Sequence, residues 1–183
     1  MTRTRLFSVA LLMLPAACAP QKPATPPAPP ANPVADAARS QNARAEKDLM
    51  EAADAVPAAK LAYKPTKAQM TFGEIWHHLA LANYGICGAI GGMTGPDVGK
   101  YNPKAKKDTL VAALKGSFSF CDKALAGLAD STLNDQVDMH FMKGTRAVAL
   151  DIYLMDLADH YSQVANYMRL NGMLPPSAKR KGD

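Results

Sequence analysis

The chain has 183 residues, of which 48% are hydrophobic and 20% are charged, and this length predicts one domain of ordinary size. The composition excludes a collagen-like chain, a disulfide-dense miniprotein and a polytopic membrane protein. The formal net charge is +5, but Arg3 and Arg5 contribute two of these charges and the tail of residues 179–183 contributes a net two more. The body is therefore close to neutral, and we expect no nucleic-acid partner.

The first residues follow the order of an export signal. Arg3 and Arg5 precede an almost wholly apolar run over residues 6–14, and small residues come next. The run is about half as long as the ~20 residues that span a bilayer, so a permanent transmembrane helix is not expected. We predict a signal peptide over residues 1–18 and an exported protein.

Cys18 follows Leu14-Pro15-Ala16-Ala17, a sequence that is similar to a bacterial lipobox except for its proline. Lipidation of Cys18 and ordinary cleavage after Ala19 both remain open, so the expected location is the periplasm or, through an N-terminal lipid, the outer membrane. Residues 19–36 are rich in Pro and Ala and cannot bury a core. They are predicted to be a disordered linker, which acts either as an extended spacer or as simple disorder.

The first half of the body predicts two helices. Residues 35–55 consist mainly of strong helix formers, and Pro57 ends the segment. Thr71-Phe72-Gly73-Glu74 fits a capping box, in which a hydroxyl and a carboxylate satisfy backbone donors at a helix start. A second helix is therefore expected to begin near Phe72 and to end at the glycines 91–92.

The second half predicts two more helices. Asp108 is the expected N-cap of the third helix, whose apolar stripe continues to Leu125. Residues 131–144 show no clean period and are predicted to be a loop or a short irregular helix. The fourth helix is expected from near Thr145 to Asn171, where a glycine and two prolines follow.

Four amphipathic helices of similar length usually bury their apolar stripes against one another. No strand-like alternation competes with this pattern anywhere in the chain. We therefore predict an all-α fold, a four-helix bundle over residues 37–177 followed by a basic tail over residues 178–183.

Three polar residues fall on apolar stripes of these helices. Asp156 and His160 share one stripe of the fourth helix, His78 lies on the core side of the second, and His77 points to the solvent face. A carboxylate on such a stripe is costly unless it is paired, hydrogen-bonded or bound to metal. Two imidazoles and one carboxylate would suit Zn²⁺, Fe²⁺, Mn²⁺ or Ni²⁺. The alternative is an Asp156–His160 hydrogen-bonded pair with His78 as a core histidine.

Other side chains are candidates for supporting roles. Tyr153, Gln163 and Tyr167 lie on or beside the same stripe and could line the site, or they are plain core residues. Cys87 and Cys121 belong to the second and third helices, and an oxidising compartment permits a disulfide between them. Two buried free thiols are the alternative.

The end of the body resembles the DinB family, also called the DinB/YfiT-like metalloenzymes. The segment from His160-Tyr161-Ser162-Gln163 to Pro175-Pro176 is similar to the final helix and its exit in that family. Tyr63-Lys64-Pro65-Thr66, Thr71-Phe72-Gly73-Glu74-Ile75 and His78-Leu79-Ala80 resemble its first half in order and spacing. The resemblance covers residues 46–177.

The resemblance implies a four-helix bundle that holds a divalent metal with three histidines. Carried over to this chain, those positions are His78, Asp156 and His160, and the chain departs from the family pattern at Asp156. The family's better-understood members are thiol-dependent transferases and isomerases, whereas an exported protein has no ready access to cytosolic thiols.

Two functions follow as expectations. The first is an exported metal-dependent enzyme, a hydrolase or a transferase, that acts on an unknown small molecule. The alternative is a non-catalytic envelope lipoprotein that uses the bundle as a binding or scaffolding module, which the loss of one family histidine favours. A monomer and a homodimer both remain open.

Overall fold

The computed structural model describes residues 31–97 and 102–179. The predicted signal peptide, Cys18, most of the predicted linker and the last residues of the basic tail lie outside this part of the chain. The helices are α1 (Pro33–Ala55), α2 (Phe72–Gly91), α3 (Lys107–Ala126), α4 (Arg146–Leu170) and the short α5 (Pro176–Lys179). Strands β1 (Gln136–Asp138) and β2 (Lys143–Thr145) form an antiparallel hairpin between α3 and α4.

The four long helices form a bundle in which α1 and α2 lie diagonally opposite each other. Each of these two helices packs between α3 and α4. Asp130, which follows α3, accepts hydrogen bonds from the backbone N–H groups of Val34 and Ala35 at the start of α1. At the other end of the bundle, Lys107 donates to the carbonyl of Asp54. These contacts show that α1 and α3 run in opposite directions.

The two central helices of the sequence run in the same direction. Asn83 donates to the Ser117 hydroxyl, and Cys87 lies opposite Cys121 further along both helices, so α2 and α3 are parallel. The loop between them must therefore return along the length of the bundle. Gly73 permits this return, because a Cβ there would lie 2.9 Å from the Pro103 carbonyl oxygen.

The start of α2 and both ends of α4 agree with their sequence signals. Thr71 Oγ1 accepts from the Glu74 N–H at 3.1 Å, and Glu74 Oε2 accepts from the Thr71 N–H at 2.7 Å, which is the predicted capping box. The Thr145 hydroxyl caps α4 in the predicted position by accepting from Val148 N–H. Gly172 has a φ of +71° just after α4, a conformation that favours glycine.

The core is aromatic at one end of the bundle. The ring of Phe72 lies 5.5 Å from that of Tyr167 and 6.2 Å from that of Trp76, and all three are buried. Since Phe72 begins α2 and Tyr167 ends α4, these two helices are antiparallel. This pairing places the start of α2 beside the second half of α4.

Two boundaries differ from the sequence predictions. Helix α1 begins at Pro33, inside the predicted linker, because proline is well suited to the first helical turn. Lys106, not Asp108, occupies the N-cap position of α3, and no side chain caps this helix. Asp108 lies in the first turn, where a carboxylate favours the helix dipole.

The segment predicted as loop or irregular helix contains the hairpin and a short turn over Asp130–Thr132. Each strand has three residues, which is too short for an alternating pattern to appear in the sequence. Within residues 31–97 and 102–179, no helix combines the length and the apolar character that crossing a membrane requires. The fold is a predominantly helical four-helix bundle with a small hairpin and a fifth short helix.

Candidate metal site

The antiparallel pairing of α2 and α4 brings His78, Asp156 and His160 together. His78 lies in the second turn of α2, and the other two lie one turn apart in the middle of α4. The distance from His78 Nε2 to Asp156 Oδ1 is 3.1 Å, and that from His160 Nδ1 to the same oxygen is 3.3 Å. One candidate ligand atom from each of the three side chains lies within 4.8 Å of the others.

A backbone contact orients the His160 ring. Its Nδ1 lies 2.9 Å from the carbonyl oxygen of Asp156, one turn earlier in the same helix. Because a carbonyl can only accept, Nδ1 carries the proton in this contact, and Nε2 of a neutral ring keeps its lone pair. The ring of His78 stacks on that of His160 with centroids 4.5 Å apart. His160 is therefore held as a ligand would be, with Nε2 available.

The cluster extends from the core to the surface. The His160 side chain is 8% exposed, that of Asp156 is 19% exposed and that of His78 is 43% exposed. The hydrogen bond from His78 to Asp156 raises the pKa of His78 above its usual value, and the smaller effect of partial burial opposes this rise. The site is thus closed on the His160 side and accessible to solvent on the His78 side.

Two buried atoms of the cluster have no hydrogen-bond partner among the described residues. These atoms are Asp156 Oδ2 and His160 Nε2. Leaving a buried acceptor unsatisfied costs about 1–3 kcal/mol, so such groups usually have a function or a missing partner. A divalent cation binds both kinds of atom. The donor set therefore fits a metal ion.

The side chains predicted to line the site make their contacts elsewhere. The Tyr153 hydroxyl donates to Asn42 Oδ1 on α1 at 2.5 Å. The Gln163 amide donates to the exposed carboxylate of Asp159 at 2.8 Å. The ring of Tyr167 packs in the aromatic cluster at the start of α2. None of these three contacts involves His78, Asp156 or His160, and a lining role for the three side chains stays a prediction.

Asn42 is a buried polar residue that the sequence analysis did not single out. It accepts from Tyr153, donates to Asp122 Oδ1 at 2.7 Å and so connects three helices. Its position on the stripe between Ala38 and Leu49 of α1, both buried, was the available signal. A polar residue on the apolar stripe of a helix is expected to be buried, and a buried polar group usually has a hydrogen-bond partner.

His77 does not lie on the solvent face that the helical pattern predicted. It is half-buried and contributes to a small cleft with Thr109 and Leu110 of α3. The prediction was wrong because a helical wheel locates the apolar stripe of α2 but cannot show where a neighbouring helix packs. In the structure, α3 covers the flank of α2 that carries His77.

The same packing of α3 explains the cysteines. The structure joins Cys87 and Cys121 in a disulfide with a Cα–Cα distance of 5.1 Å, and both residues are fully buried. Cys87 lies about 120° from the centre of its own apolar stripe by the helical wheel. The two cysteines meet because α3 packs against that flank of α2.

The fold and the site together define a helical bundle with a His/Asp constellation at the interface between two of its helices. A model of the DinB superfamily matches residues 41–164. This match covers more than half of the chain, so the chain belongs to the DinB superfamily, as the resemblance predicted.

Solved structures of other proteins have a similar fold. A DinB-like protein from Bacillus subtilis is 19% identical, with a TM-score of 0.62 over 76% of this chain and 95% of that chain. A DinB-like protein from Bacillus cereus ATCC 10987 is 15% identical, with a TM-score of 0.66 over 77% and 95% of the two chains. A conserved protein from Enterococcus faecalis is 18% identical, with a TM-score of 0.61 over 75% and 96%. Comparison with curated proteins finds no match.

Proposed function

We propose that this chain binds one divalent metal ion through His78, Asp156 and His160 and acts as a metal-dependent hydrolase or transferase on a small molecule. The observation that carries the proposal is the pair of buried, unpartnered atoms, Asp156 Oδ2 and His160 Nε2, within a three-residue cluster. Membership of the DinB superfamily supports it, since the resemblance implies a metal at these positions.

The residues of the chain would have distinct parts in this chemistry. Bound metal would supply Lewis acidity, which polarises an oxygen of the substrate or lowers the pKa of a bound water or thiol. The carbonyl of Asp156 fixes the His160 ring, and the Asp156 carboxylate adds a negative charge that the family's histidine would not. The partly exposed side chain of His78 opens the site to solvent.

We further propose that the protein works outside the cytosol. The signal-like residues 1–18 motivate this proposal, and the disulfide between Cys87 and Cys121 supports it, because disulfides persist in oxidising compartments. Lipidation of Cys18 would hold the bundle at a membrane through the linker that follows.

A second function is favoured by one specific feature. Asp156 Oδ1 lies within hydrogen-bonding distance of His78 and within ion-pair distance of His160. Such a pairing is the one expected of a non-catalytic bundle that serves as a binding or scaffolding module. The metal-binding experiment distinguishes the two functions.

The test is isothermal titration of the purified chain with Zn²⁺, Ni²⁺ and Mn²⁺, together with His160→Ala and His77→Ala variants. We expect binding of one ion per chain by the native protein and by His77→Ala, which removes a neighbouring imidazole outside the cluster. His160→Ala is expected to lose that binding. No saturable binding by the native chain would contradict the metal proposal and support the scaffolding function.

A further inference from the structure

One end of the bundle concentrates exposed positive charge. This end is formed by the loop of residues 56–71, the loop of residues 102–107 and the segment of residues 169–174. We call it the basic end, and its cationic residues are Lys60, Lys64, Lys67, Lys104, Lys106, Lys107 and Arg169. All are exposed except Lys107, which is half-buried against the end of α1.

The three segments are neighbours in space. The ring of Tyr63, in the first loop, lies 6.1 Å from that of Tyr167, in the last turn of α4. Gly73, at the start of α2, lies against both the Pro103 and the Leu61 carbonyl oxygens. The first two loops also line a shared cleft of about 660 Å³. The charges of the basic end therefore act on one surface.

The basic end keeps an excess of positive charge. Its three segments contain no Asp or Glu, and none of the ion pairs between described residues involves one of its side chains. Asp54, Glu74 and Asp108 flank these segments, and the last two line the shared cleft. The cations of the basic end outnumber these three carboxylates. The opposite end is more evenly mixed, because its Asp135 and Asp138 pair with Arg146 and Lys143.

Two exposed apolar side chains accompany these cations. Leu170 at the end of α4 is 61% exposed, and Leu174 just beyond it is 65% exposed. Cations that surround exposed leucines are typical of surfaces that lie in the headgroup region of an anionic bilayer. Exposed leucines add nothing to contacts with nucleic-acid phosphates, so these two side chains favour a lipid surface over a nucleic acid.

We propose that the basic end binds the anionic headgroups of a phospholipid bilayer, with Leu170 and Leu174 entering the boundary between headgroups and acyl chains. The surface is separate from the metal site and goes beyond the function proposed for it. It is also separate from any N-terminal attachment, because α1 begins at Pro33 at the opposite end of the bundle.

The experiment measures flotation of the full chain with two kinds of vesicle, phosphatidylcholine alone and phosphatidylcholine with about 30% phosphatidylglycerol, at low and high salt. Residues 1–30 could also contribute to vesicle binding, and this contribution is the same for both kinds of vesicle. The readout is therefore the ratio of the two partition coefficients, in which the common contribution cancels. We expect the anionic vesicles to be preferred at least tenfold at low salt, with the preference lost at high salt, since each lysine near such a surface changes binding roughly fivefold.

The charge variant is Lys64→Gln/Lys67→Gln/Lys106→Gln. Its control is Lys115→Gln/Lys123→Gln/Lys143→Gln, which removes the same charge from α3 and the hairpin. The first variant is expected to lose the anionic preference by at least tenfold, and the control is expected to keep most of it. Equal losses in both variants would show an effect of net charge alone and would overturn the proposal.

The apolar variant is Leu170→Ser/Leu174→Ser, with Phe141→Ser/Met142→Ser in the exposed hairpin turn as its control. Only the leucine variant is expected to bind anionic vesicles more weakly. Equal partition of the native chain into both vesicles would overturn the proposal, and so would tighter binding of the basic end to a DNA duplex than to the vesicles. Zinc titration of the same variants keeps the two proposals distinguishable, because these residues lie outside the metal site.

Discussion

Asp156 is the residue at which this site departs from the three histidines that the family resemblance implies. Its carboxylate is a harder ligand than imidazole and brings a negative charge into a half-buried position. Both of its functions in the structure, accepting from His78 and orienting His160 through its backbone, depend on α4 being helical through this turn. A substitution here therefore changes the ligand while the helix keeps its orientation.

The first prediction concerns this ligand. Asp156→His is expected to strengthen binding of Zn²⁺ or Ni²⁺ by about tenfold, a gain of about 1.4 kcal/mol, because imidazole is the softer ligand. Isothermal titration of both proteins is the measurement. Asp151→His, at an exposed position earlier in the same helix, serves as the control and is expected to leave the affinity unchanged. Equally negligible affinity in all three proteins would contradict the prediction.

The second prediction concerns the buried hydrogen bond that Tyr153 donates to Asn42. Tyr153→Phe leaves Asn42 Oδ1 without its donor in the core, which is expected to destabilise the protein by about 1–3 kcal/mol. Burial is also the main reason that the pKa of Tyr153 lies far above its usual value, with nearby carboxylates adding to the effect. Urea unfolding monitored by circular dichroism gives the difference in unfolding free energy. Tyr161→Phe, which loses a half-buried bond to the Ser177 N–H, is the comparison and is expected to cost less.

Helix α2 has a full capping box at its N-terminus. The capping box satisfies two backbone donors that the helix itself cannot. His78 lies in the second turn after it, so the cap fixes the part of α2 that carries this ligand.

Removing the cap gives the third prediction. Thr71→Ala is expected to lower the unfolding free energy by about 1 kcal/mol, the usual effect of losing a threonine N-cap. Thr109→Ala, an exposed threonine inside the first turn of α3, is the matched control and is expected to change stability by less than about 0.5 kcal/mol. Thermal unfolding of the two variants beside the native chain is the measurement. Equal effects would show that the cap does not stabilise α2.

The fourth prediction is a pH dependence at the same cap. Hydrogen bonds from Thr71 hold the pKa of Glu74 below its usual value, and Lys64 and Lys104 contribute in the same direction. A carboxyl group whose pKa is lower in the folded state stabilises the fold above its unfolded pKa and loses this effect as the pH falls through the folded value. The stability difference between the native chain and Glu74→Gln is therefore expected to be constant near neutral pH and to shrink below about pH 4.5. Urea unfolding between pH 3 and pH 7 measures it, and a difference that grows on acidification would contradict the assignment.

For the whole molecule, the disulfide is the covalent constraint on how helices assemble. Cys87 and Cys121 are 34 residues apart in sequence and tie two parallel helices together. Parallel neighbours need a long returning connection, here residues 92–106, and this connection adds to the chain entropy that folding must overcome.

The fifth prediction follows from closing this loop. Cys87→Ala/Cys121→Ala is expected to destabilise the bundle by roughly 3–4 kcal/mol in the chain-entropy model. Thermal unfolding of the variant is compared with the native chain before and after reduction, and reduction is expected to reproduce the effect. Thiol titration of the denatured, unreduced protein provides the control. If it detects thiols from Cys87 and Cys121, the bridge is absent.

The helices, the caps of α2 and α4 and the family could be predicted from residues that are close together in the sequence. A period of 3.6 residues, the capping box at Thr71 and the glycine after α4 depend on neighbours in sequence, so they predict α2 and α4 closely. The convergence of His78 with Asp156 and His160 was expected from the stripes and the family resemblance together. The spacing alone did not require it, since an Asp-x-x-x-His pair is common by chance.

Packing between distant segments decided the remaining features. Which flank of α2 is covered by α3 determines that His77 is half-buried and that Cys87 meets Cys121, and no helical wheel contains this information. In the hairpin, residues 136–138 pair with residues 143–145. Strands of three residues are too short for a sequence pattern to predict this pairing. The basic end exists only because the fold returns three lysine-bearing or arginine-bearing segments to one surface. Composition sums charge over the chain, whereas the tertiary structure determines where in space each charge lies.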